Sequence, residues 1–258
     1  MDAVIDLHIH GTCAELVLCN REKRNALNTA MWRAIPELIA RANAAKAVRT
    51  ILLHGGTGGV FAAGADISEF AEAYSDTARI RDSGGLIAAA LNAIETSAKP
   101  VIAAIDGPCY GAGVSLAVAA DLRIASDTAS FCIPPARLGL IYPAGDTRRL
   151  LTLIGPGATK RLLLTAQTID AREALRIGLV EQLTGDSAIP IARKMAARIE
   201  TLSPHALRSI KTLISGLQSG WTDTSPQADA LFVEGFLSDD HREGRAAFLE
   251  KRQARFTP

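Results

Sequence analysis

The chain has 258 residues, 48% of them hydrophobic, which is enough to bury a large core in one domain or in a domain with an appendage. Its 28 Lys and Arg residues balance 27 Asp and Glu, so the basic surface typical of a nucleic-acid-binding protein is not expected. The N-terminal residues MDAVIDLHIH lack the basic region of a signal peptide, and no apolar run reaches the ~18 residues of a membrane span. The four cysteines form no CxxC pair. We therefore expect a cytoplasmic protein with free thiols and no membrane segment.

The first two thirds of the chain alternate short apolar stretches with helical patterns. Gly11-Thr12 separates two apolar stretches and predicts a hairpin. Asn28 is a typical N-cap for a helix over Thr29–Ala44. Further strands are predicted at 50–54, 101–105, 122–125 and 130–133, and helices at 80–96 and 114–120. Strands separated by helices indicate an α/β fold.

Helical patterns dominate after Thr147. Helices are predicted near 148–153, 158–165, 171–177, 189–201, 205–217, 226–237 and 242–252. The last quarter therefore reads as a helical appendage. We expect a core domain over residues 1–200 and a C-terminal helical region over 201–258.

Two short patterns resemble catalytic motifs and are better explained otherwise. His8 and His10 alternate on a strand, as two metal ligands would, but the remaining histidines offer no matching ligands, so no metal site is predicted. The pattern GVSLA around Ser115 approaches the nucleophile elbow GxSxG, which needs a strand running directly into the serine. Here the serine falls inside an apolar helix, where a hydroxyl bonded back to its own helix is the preferred interpretation.

Five segments in order resemble the enoyl-CoA hydratase/isomerase (crotonase) family over nearly the whole chain. They are NREKRNALN from Asn20, FAAGADI from Phe61, KPVIAAIDGPCYGAG from Lys99, DLRIAS from Asp121, and the tail with DDHREG from Asp239 and FLEKR from Phe248. The resemblance continues through 131–150 and 155–183. It implies a crotonase-like ββα spiral with a C-terminal α-helical region that assembles a homotrimer or a dimer of trimers.

The same resemblance implies an acyl-CoA thioester as ligand, with coenzyme A bound as part of the substrate and no separate cofactor. The backbone amides of Ala65 and Ala112 would form an oxyanion hole, in which two N–H groups stabilise charge on the thioester oxygen. Ala112 also lies near the start of a helix, whose dipole adds positive potential. Taken singly, each alanine could merely permit a tight turn; the five segments together favour the oxyanion hole.

The resemblance assigns the rest of the ligand contacts to several stretches of the chain. The expected substrate-binding residues are Lys23, Arg24, Ala26, Leu27, Ala63, Asp66, Ile67, Tyr110, Gly111, Ser115, Pro135, Phe248 and Lys251. Among them, the two basic residues at 23 and 24 would meet CoA phosphates. Phe248 and Lys251 would close the CoA site, in one alternative from a neighbouring subunit.

The chain departs from the family at both positions where a hydratase carries a carboxylate. Ser115 and Pro135 occupy these positions, and neither side chain can serve as an unassisted general base. Standard hydration is therefore not expected. Asp146 is the best acidic substitute, although an N-cap for a helix beginning near Thr147 is the preferred explanation of this residue. Tyr110, Tyr142 and Arg137 are further polar groups expected near the pocket.

Three functional hypotheses follow from these departures. The first is an enzyme that stabilises a thioester enolate and catalyses a lyase or isomerase reaction other than simple hydration. The second is a non-catalytic acyl-CoA carrier or sensor that keeps the oxyanion hole. The third and weakest is a conventional hydratase that positions water differently.

Overall fold

The computed structural model describes residues 4–70 and 74–257, and within these ranges the chain forms two β-sheets and nine α-helices. The strands are β1 (Val4–His10), β2 (Cys13–Cys19), β3 (Thr50–His54), β4 (Val101–Ile105), β5 (Pro108–Tyr110), β6 (Leu122–Ser126), β7 (Ser130–Cys132), β8 (Ile169–Asp170) and β9 (Gln182–Thr184). The helices are α1 (Thr29–Ala44), α2 (Thr77–Glu95), α3 (Ala112–Ala119), α4 (Ala144–Thr165), α5 (Ala171–Arg176), α6 (Ala188–Glu200), α7 (Pro204–Gln218), α8 (Pro226–Leu237) and α9 (Asp239–Leu249).

The larger sheet has six strands in the order β1-β2-β3-β4-β6-β9. Only the β1–β2 pair is antiparallel, and it is the predicted hairpin, with His10 opposite Cys13 across the Gly11-Thr12 turn. The other neighbours pair in parallel, as expected when helical segments separate the strands. The predicted α/β class is therefore correct.

Both faces of the central strands are buried. Because side chains alternate along a strand, Val101, Ala103 and Ile105 of β4 point into the main core. Ile102 and Ala104 point the other way, into a smaller core beneath α6. Burial on both sides explains why β3 and β4 read as continuous apolar runs in the sequence.

The topology places two loops at the same edge of the larger sheet. β3 and β4 are parallel neighbours, so the loops that follow His54 and Ile105 leave the sheet at adjacent points. The first leads to the turn at Phe61–Asp66, and the second leads to β5 and α3. A smaller sheet, ordered β5-β7-β8, continues from the second loop. This edge is where open parallel sheets usually bind ligands.

Several helices begin earlier than the sequence predicts, and two of them lie next to the candidate site. The helix predicted to begin near Thr147 begins at Ala144. Helix α4 has a non-helical kink at Gly155 (φ +71°), so the two helices predicted at 148–153 and 158–165 lie on either side of this kink. The apolar helix predicted from residue 114 begins at Ala112. In both places a glycine next to the boundary obscured the first helical turn in the sequence.

One of the two misleading motifs, the His8 and His10 pair, lies on an exposed edge strand, which is the explanation that the sequence favoured. His8 and His10 are a stacked pair on β1 with ring centroids 6.1 Å apart, and no group of metal-ligating side chains occurs in residues 4–70 and 74–257. Ser115 lies inside α3 and follows no strand directly. None of the helices in the described part of the chain is long and apolar enough to cross a bilayer.

Candidate active site

The turn at Phe61–Asp66 is held by backbone pairing that fixes the direction of the Ala65 amide. Leu27 N donates to Gly64 O at 2.8 Å, and Asp66 N donates to Leu27 O at 2.8 Å. These two bonds form a parallel bridge between Leu27 and Ala65. In this bridge Leu27 bonds to the two neighbours of Ala65, and Ala65 itself uses neither its N–H nor its C=O. The Ala65 N–H therefore points away from Leu27.

The loop before α3 packs directly against this turn. Tyr110 N donates to Ala62 O at 2.9 Å, and a Cβ on Gly111 would lie 3.9 Å from the Gly64 Cα. Gly111 has φ +49°, a conformation that glycine adopts without strain. The segments that carry Ala65 and Ala112 are therefore in contact, as the oxyanion-hole prediction requires.

Ala112 is the first residue of α3. An amide in the first helical turn has no acceptor within its own helix, and the helix dipole makes this end positive. The next residue, Gly113, comes so close to the turn that a Cβ would lie 2.7 Å from Ala62 O. Only glycine allows this approach of α3 to the turn.

Ser115 does not bond back to its own helix, so that prediction is wrong. Its Oγ donates to Asp146 Oδ2 at 2.8 Å and lies 2.7 Å from Tyr142 Oη. Tyr142 Oη is in turn 3.4 Å from the carbonyl oxygen of Gly111. The three side chains form a continuous hydrogen-bonded chain, which we call the Asp146–Ser115–Tyr142 chain, that ends beside the loop carrying Ala112.

Asp146 is not the helix N-cap, and the preferred sequence interpretation is wrong here too. Helix α4 begins at Ala144 after Pro143, so Asp146 lies inside its first turn and its carboxylate points inward. The side chain is only 3% exposed, and its Oδ1 accepts from Arg149 Nη1 at 3.1 Å. The carboxyl group thus faces α3 instead of capping α4.

Arg149 is shared between two carboxylates. Besides Asp146, it donates from Nη2 to Glu95 Oε2 at 2.7 Å and to Asn92 Oδ1 at 2.7 Å, both on α2. Burial raises the pKa of Asp146, while the Ser115 hydrogen bond and the Arg149 charge oppose this effect and the Glu95 charge adds to it. The net result is an Asp146 pKa above its ordinary value of 3.8. A carboxyl group in this state can both accept and return a proton.

Tyr142 is also buried, at 8% exposed. Burial and the nearby Asp146 charge raise the pKa of its phenol well above 10. Tyr142 therefore remains a neutral hydroxyl over the ordinary pH range. Pro135, at the second departure, begins a 3₁₀ turn over Pro135–Leu138 and supplies no group that can move a proton.

The residues expected to bind CoA fall into two sets. Lys23 donates from Nζ to Asp66 Oδ2 at 2.7 Å and to Ser68 Oγ at 2.8 Å, so Asp66 holds the turn and compensates the Lys23 charge. Burial alone would raise the Asp66 pKa, but the bonds from Lys23 and Ser68 outweigh it and lower the pKa. Arg24 and Ile67 remain exposed, the latter at 63%, and Ala63 is half-buried. These side chains are free to meet a ligand.

Other predicted contacts are less direct. Leu27 is a core side chain, and Ala26 is buried beside it. Leu27, Ala65 and Asp66 line a narrow pocket together with Trp32 and Leu86. The Tyr110 hydroxyl forms a hydrogen bond with Ser130 Oγ at 3.0 Å.

Phe248 lies in the last turn of α9, and Lys251 lies two residues beyond the end of this helix. Phe248 is 83% exposed. Within the described ranges, no hydrogen bond or ring contact joins either side chain to the turn at Ala65. The chain by itself does not bring these two residues into the site.

Sequence reasoning missed Arg149, Glu95 and Asn92. The spacing of Asp146 and Arg149, three residues apart, would have indicated a pair on one helix face if the start of α4 had been placed at Ala144. Nothing in the sequence pointed to Glu95 and Asn92, because they reach the site from another helix.

Comparison with known proteins agrees with this geometry. The family model for enoyl-CoA hydratase/isomerase matches residues 8–258. A crotonyl-CoA hydratase from Syntrophomonas wolfei is 39% identical over 241 residues, covering 92% of each chain, and a carnitinyl-CoA dehydratase from Citrobacter koseri is 31% identical over 249 residues, covering 94% of each. A solved structure of an enoyl-CoA hydratase/isomerase family protein from Hyphomonas neptunium superposes with a TM-score of 0.96 at 53% identity, covering 98% of this chain and 97% of that one. The chain has the crotonase fold and belongs to the enoyl-CoA hydratase/isomerase family.

Proposed function

We propose that this protein is an enzyme of the lyase or isomerase type that acts on acyl-CoA thioesters and stabilises a thioester enolate. The amides of Ala65 and Ala112 hold the thioester oxygen, and Asp146 stores the proton that is removed from the acyl chain. One observation carries the proposal. The buried Asp146 carboxyl is bonded to Ser115, one helical turn beyond Ala112 on α3.

The contact between the two amide-bearing segments supports the oxyanion hole. The turn at Ala65 and the loop before Ala112 pack backbone to backbone, and Gly113 comes so close to the turn that a Cβ there would lie 2.7 Å from Ala62 O. Removing one oxyanion donor typically costs ~2.7–4 kcal/mol of transition-state stabilisation. A pair of fixed backbone donors therefore provides a large part of the rate enhancement for an enolate-forming reaction.

The names of the relatives support the substrate class. Crotonyl-CoA hydratase and carnitinyl-CoA dehydratase both act on CoA thioesters by name. In this chain, exposed Arg24 and Ile67 lie beside the turn at Ala65 and are free to contact the CoA portion. Lys23 takes part through its pair with Asp66.

The missing carboxylates argue against ordinary hydration. In the hydratase pattern, acids at positions 115 and 135 would position and activate water. Here Ser115 already donates its proton to Asp146, and Pro135 has no titratable group. With one carboxyl group in place of two, the proposed chemistry removes and returns a proton at the acyl chain instead of adding water.

Measurement of α-proton exchange tests the proposal directly. The protein is incubated with butyryl-CoA in D₂O, and loss of the C2 proton signal is followed by NMR; crotonyl-CoA hydration is measured in parallel. We expect exchange with the wild-type protein, little hydration, and an exchange rate ~10²–10⁴ lower in Asp146→Asn, the range typical of a lost general base. An exposed aspartate outside the site, as in Asp127→Asn, serves as the matched control.

A non-catalytic acyl-CoA carrier or sensor is the second candidate. It is favoured by the fact that both carboxylate oxygens of Asp146 already accept hydrogen bonds and the residue is almost completely buried. Tight butyryl-CoA binding without exchange or any turnover would support it and would refute the enzyme. Crotonyl-CoA hydration at a rate that Asp146→Asn leaves unchanged would instead indicate a conventional hydratase.

The C-terminal region, 201–258, supports a proposal about assembly. Helices α8 and α9 carry several large apolar side chains that are mostly exposed in one chain: Phe232, Phe236, Leu237, Phe248 and Leu249. Exposed apolar patches of this kind usually mark protein–protein contacts. A homotrimer or a dimer of trimers would cover these side chains. The molar mass of the protein, measured by light scattering as it elutes from a size-exclusion column, checks this proposal.

A further inference from the structure

The Asp146–Ser115–Tyr142 chain has one closed end and one end at the loop before α3. Asp146 and Ser115 are 3% and 2% exposed, whereas Tyr142 is 8% exposed and its Oη lies 3.4 Å from Gly111 O. Gly111 immediately precedes Ala112. Ser115 lies three residues beyond Ala112, so the chain is within one helical turn of the Ala112 amide, and Tyr142 is its most exposed member.

Counting protons fixes the direction of this chain when Asp146 is ionised. A serine hydroxyl has one proton, and Ser115 donates it to Asp146 Oδ2. The 2.7 Å bond between Ser115 and Tyr142 must therefore be donated by Tyr142. Since the phenol proton is used in this way, Tyr142 no longer donates to Gly111 O, and the lone pairs of its Oη have no donor other than an incoming proton among the hydrogen bonds of residues 4–70 and 74–257.

Protonation of Asp146 reverses every bond of the chain. A neutral Asp146 donates to Ser115, Ser115 donates to Tyr142, and the phenol proton is released toward the Gly111 side. The two arrangements differ by one proton and need no movement of the side chains. They are the acceptor and donor forms that a proton-transfer site must alternate between.

We propose that Tyr142 is the catalytic group that exchanges a proton with the acyl chain, and that Ser115 relays this proton to Asp146. This inference rests on the proposed enolate chemistry and assigns a task to the hydroxyl groups that replace the family's carboxylate at position 115. Tyr142 would touch the substrate. Ser115 would act only through its two neighbours.

The step balances in protons and electrons. As the C2–H bond breaks, its electron pair forms the enolate on the thioester oxygen, and the proton passes to Tyr142 Oη. The phenol proton moves to Ser115 Oγ, and the serine proton moves to Asp146, which becomes neutral. The reverse sequence returns a proton to carbon at C2, or at C4 when the enolate is conjugated.

The surrounding charges are consistent with Asp146 as the final acceptor. Arg149 is the cation that contacts the Asp146 carboxylate. Glu95, on α2, forms ion pairs with both Arg149 and Arg148. Burial, the Asp146 charge and the buried Cys109 thiol raise the pKa of the Tyr142 phenol, whereas the Ser115 hydrogen bond and the Arg149 charge lower it without reversing the rise. The phenol therefore transfers a proton without holding a charge.

Two variants and one control test the relay. Tyr142→Phe removes the proposed contact with substrate, and Ser115→Ala interrupts the relay. The control, Ser126→Ala, removes a similarly buried serine at the end of β6, whose hydroxyl bonds to Thr128 and takes no part in the Asp146–Ser115–Tyr142 chain. Each protein is checked for cooperative unfolding, for butyryl-CoA binding, and for C2 proton exchange in D₂O.

We expect Tyr142→Phe and Ser115→Ala each to reduce the exchange rate by ~100-fold or more while butyryl-CoA binding changes by less than about threefold. Tyr142→Phe combined with Asp146→Asn should be no slower than the slower single variant, since members of one chain act as a unit. Ser126→Ala should exchange like the wild type.

The relay is overturned if Tyr142→Phe or Ser115→Ala exchanges within threefold of the wild type while Asp146→Asn is inactive; the proposed function then stands. Absence of exchange in the wild type refutes the proposed function and the relay together. If Tyr142→Phe does not fold, Ser115→Ala alone decides the outcome, because loss of exchange without loss of binding requires the relay.

Discussion

Replacing Gly113 by alanine should separate the two segments that carry the proposed oxyanion amides, those of Ala65 and Ala112. A Cβ at this position would lie 2.7 Å from Ala62 O and 2.9 Å from Ala62 Cβ, whereas ordinary contact begins near 3.4 Å. The start of α3 and the Phe61–Asp66 turn must therefore move apart by roughly 0.7 Å. Both are buried backbone segments, so no flexible side chain can absorb the displacement.

The size of the effect follows from two separate terms. Overpacking of a buried site typically costs ~1–3 kcal/mol of folding free energy. A misplacement approaching 1 Å in a catalytic site can cost ~100-fold in rate, which agrees with the ~2.7–4 kcal/mol assigned to one oxyanion donor. We therefore expect Gly113→Ala to unfold at lower urea concentration and to exchange the C2 proton ~100-fold more slowly.

Urea unfolding and NMR exchange with butyryl-CoA measure the two terms on the same preparation. Gly84→Ala is the matched control, because Gly84 lies inside α2 and a Cβ there meets no atom within 4 Å. It should stabilise the protein by ~0.5–1 kcal/mol and leave exchange unchanged. If Gly113→Ala unfolds and exchanges like the wild type, the close approach of α3 to the turn does not position the amides.

Two further predictions concern charge. Glu95→Gln should lower the pKa of Asp146, because the Glu95 charge raises this pKa and Arg149 would then act on Asp146 alone. The acid limb of the pH profile of the exchange rate should therefore move to lower pH, toward the ordinary Asp pKa of 3.8. An unchanged pH profile would contradict this coupling. Glu15→Gln should destabilise the fold at pH 7 and should do so progressively less as the pH falls below about 4.5. The reason is that the Arg193 hydrogen bond, opposed by burial and supported by His54, lowers the folded-state pKa of Glu15. A carboxyl group whose pKa is lower in the folded state stabilises the fold at pH values above its unfolded-state pKa of about 4.5, and this stabilisation is lost as the pH falls through its folded-state pKa. Equal urea midpoints for the variant and the wild type at pH 7 would show that the ion pair of Glu15 is energetically neutral.

The ordered motifs of the sequence were sufficient for the family and the fold. The strands at 50–54 and 101–105 are continuous apolar runs because they are buried on both faces, a signal that needs no tertiary information. Asn28 begins α1 as expected, since its side chain accepts from Met31 N at 2.8 Å. The turn at Ala65 and the loop at Ala112 also lie together as the family resemblance implied.

The roles of the polar side chains were decided by tertiary structure. Both Ser115 and Asp146 have ordinary local explanations, one as a helical serine and one as a helix cap, and both explanations are wrong. Local preference could not show that α3 and α4 face each other, or that α2 delivers Glu95 to Arg149.

The sequence by itself thus determined the fold and the backbone part of the site, because glycine, small residues and apolar periodicity act over a few neighbouring positions. Only the tertiary structure decided which hydroxyl and carboxyl groups meet. Ser115 lies on α3, Asp146 on α4 and Tyr142 in the loop just before α4. The free energy of burying each polar group is offset only when the others are in place to hydrogen-bond with it.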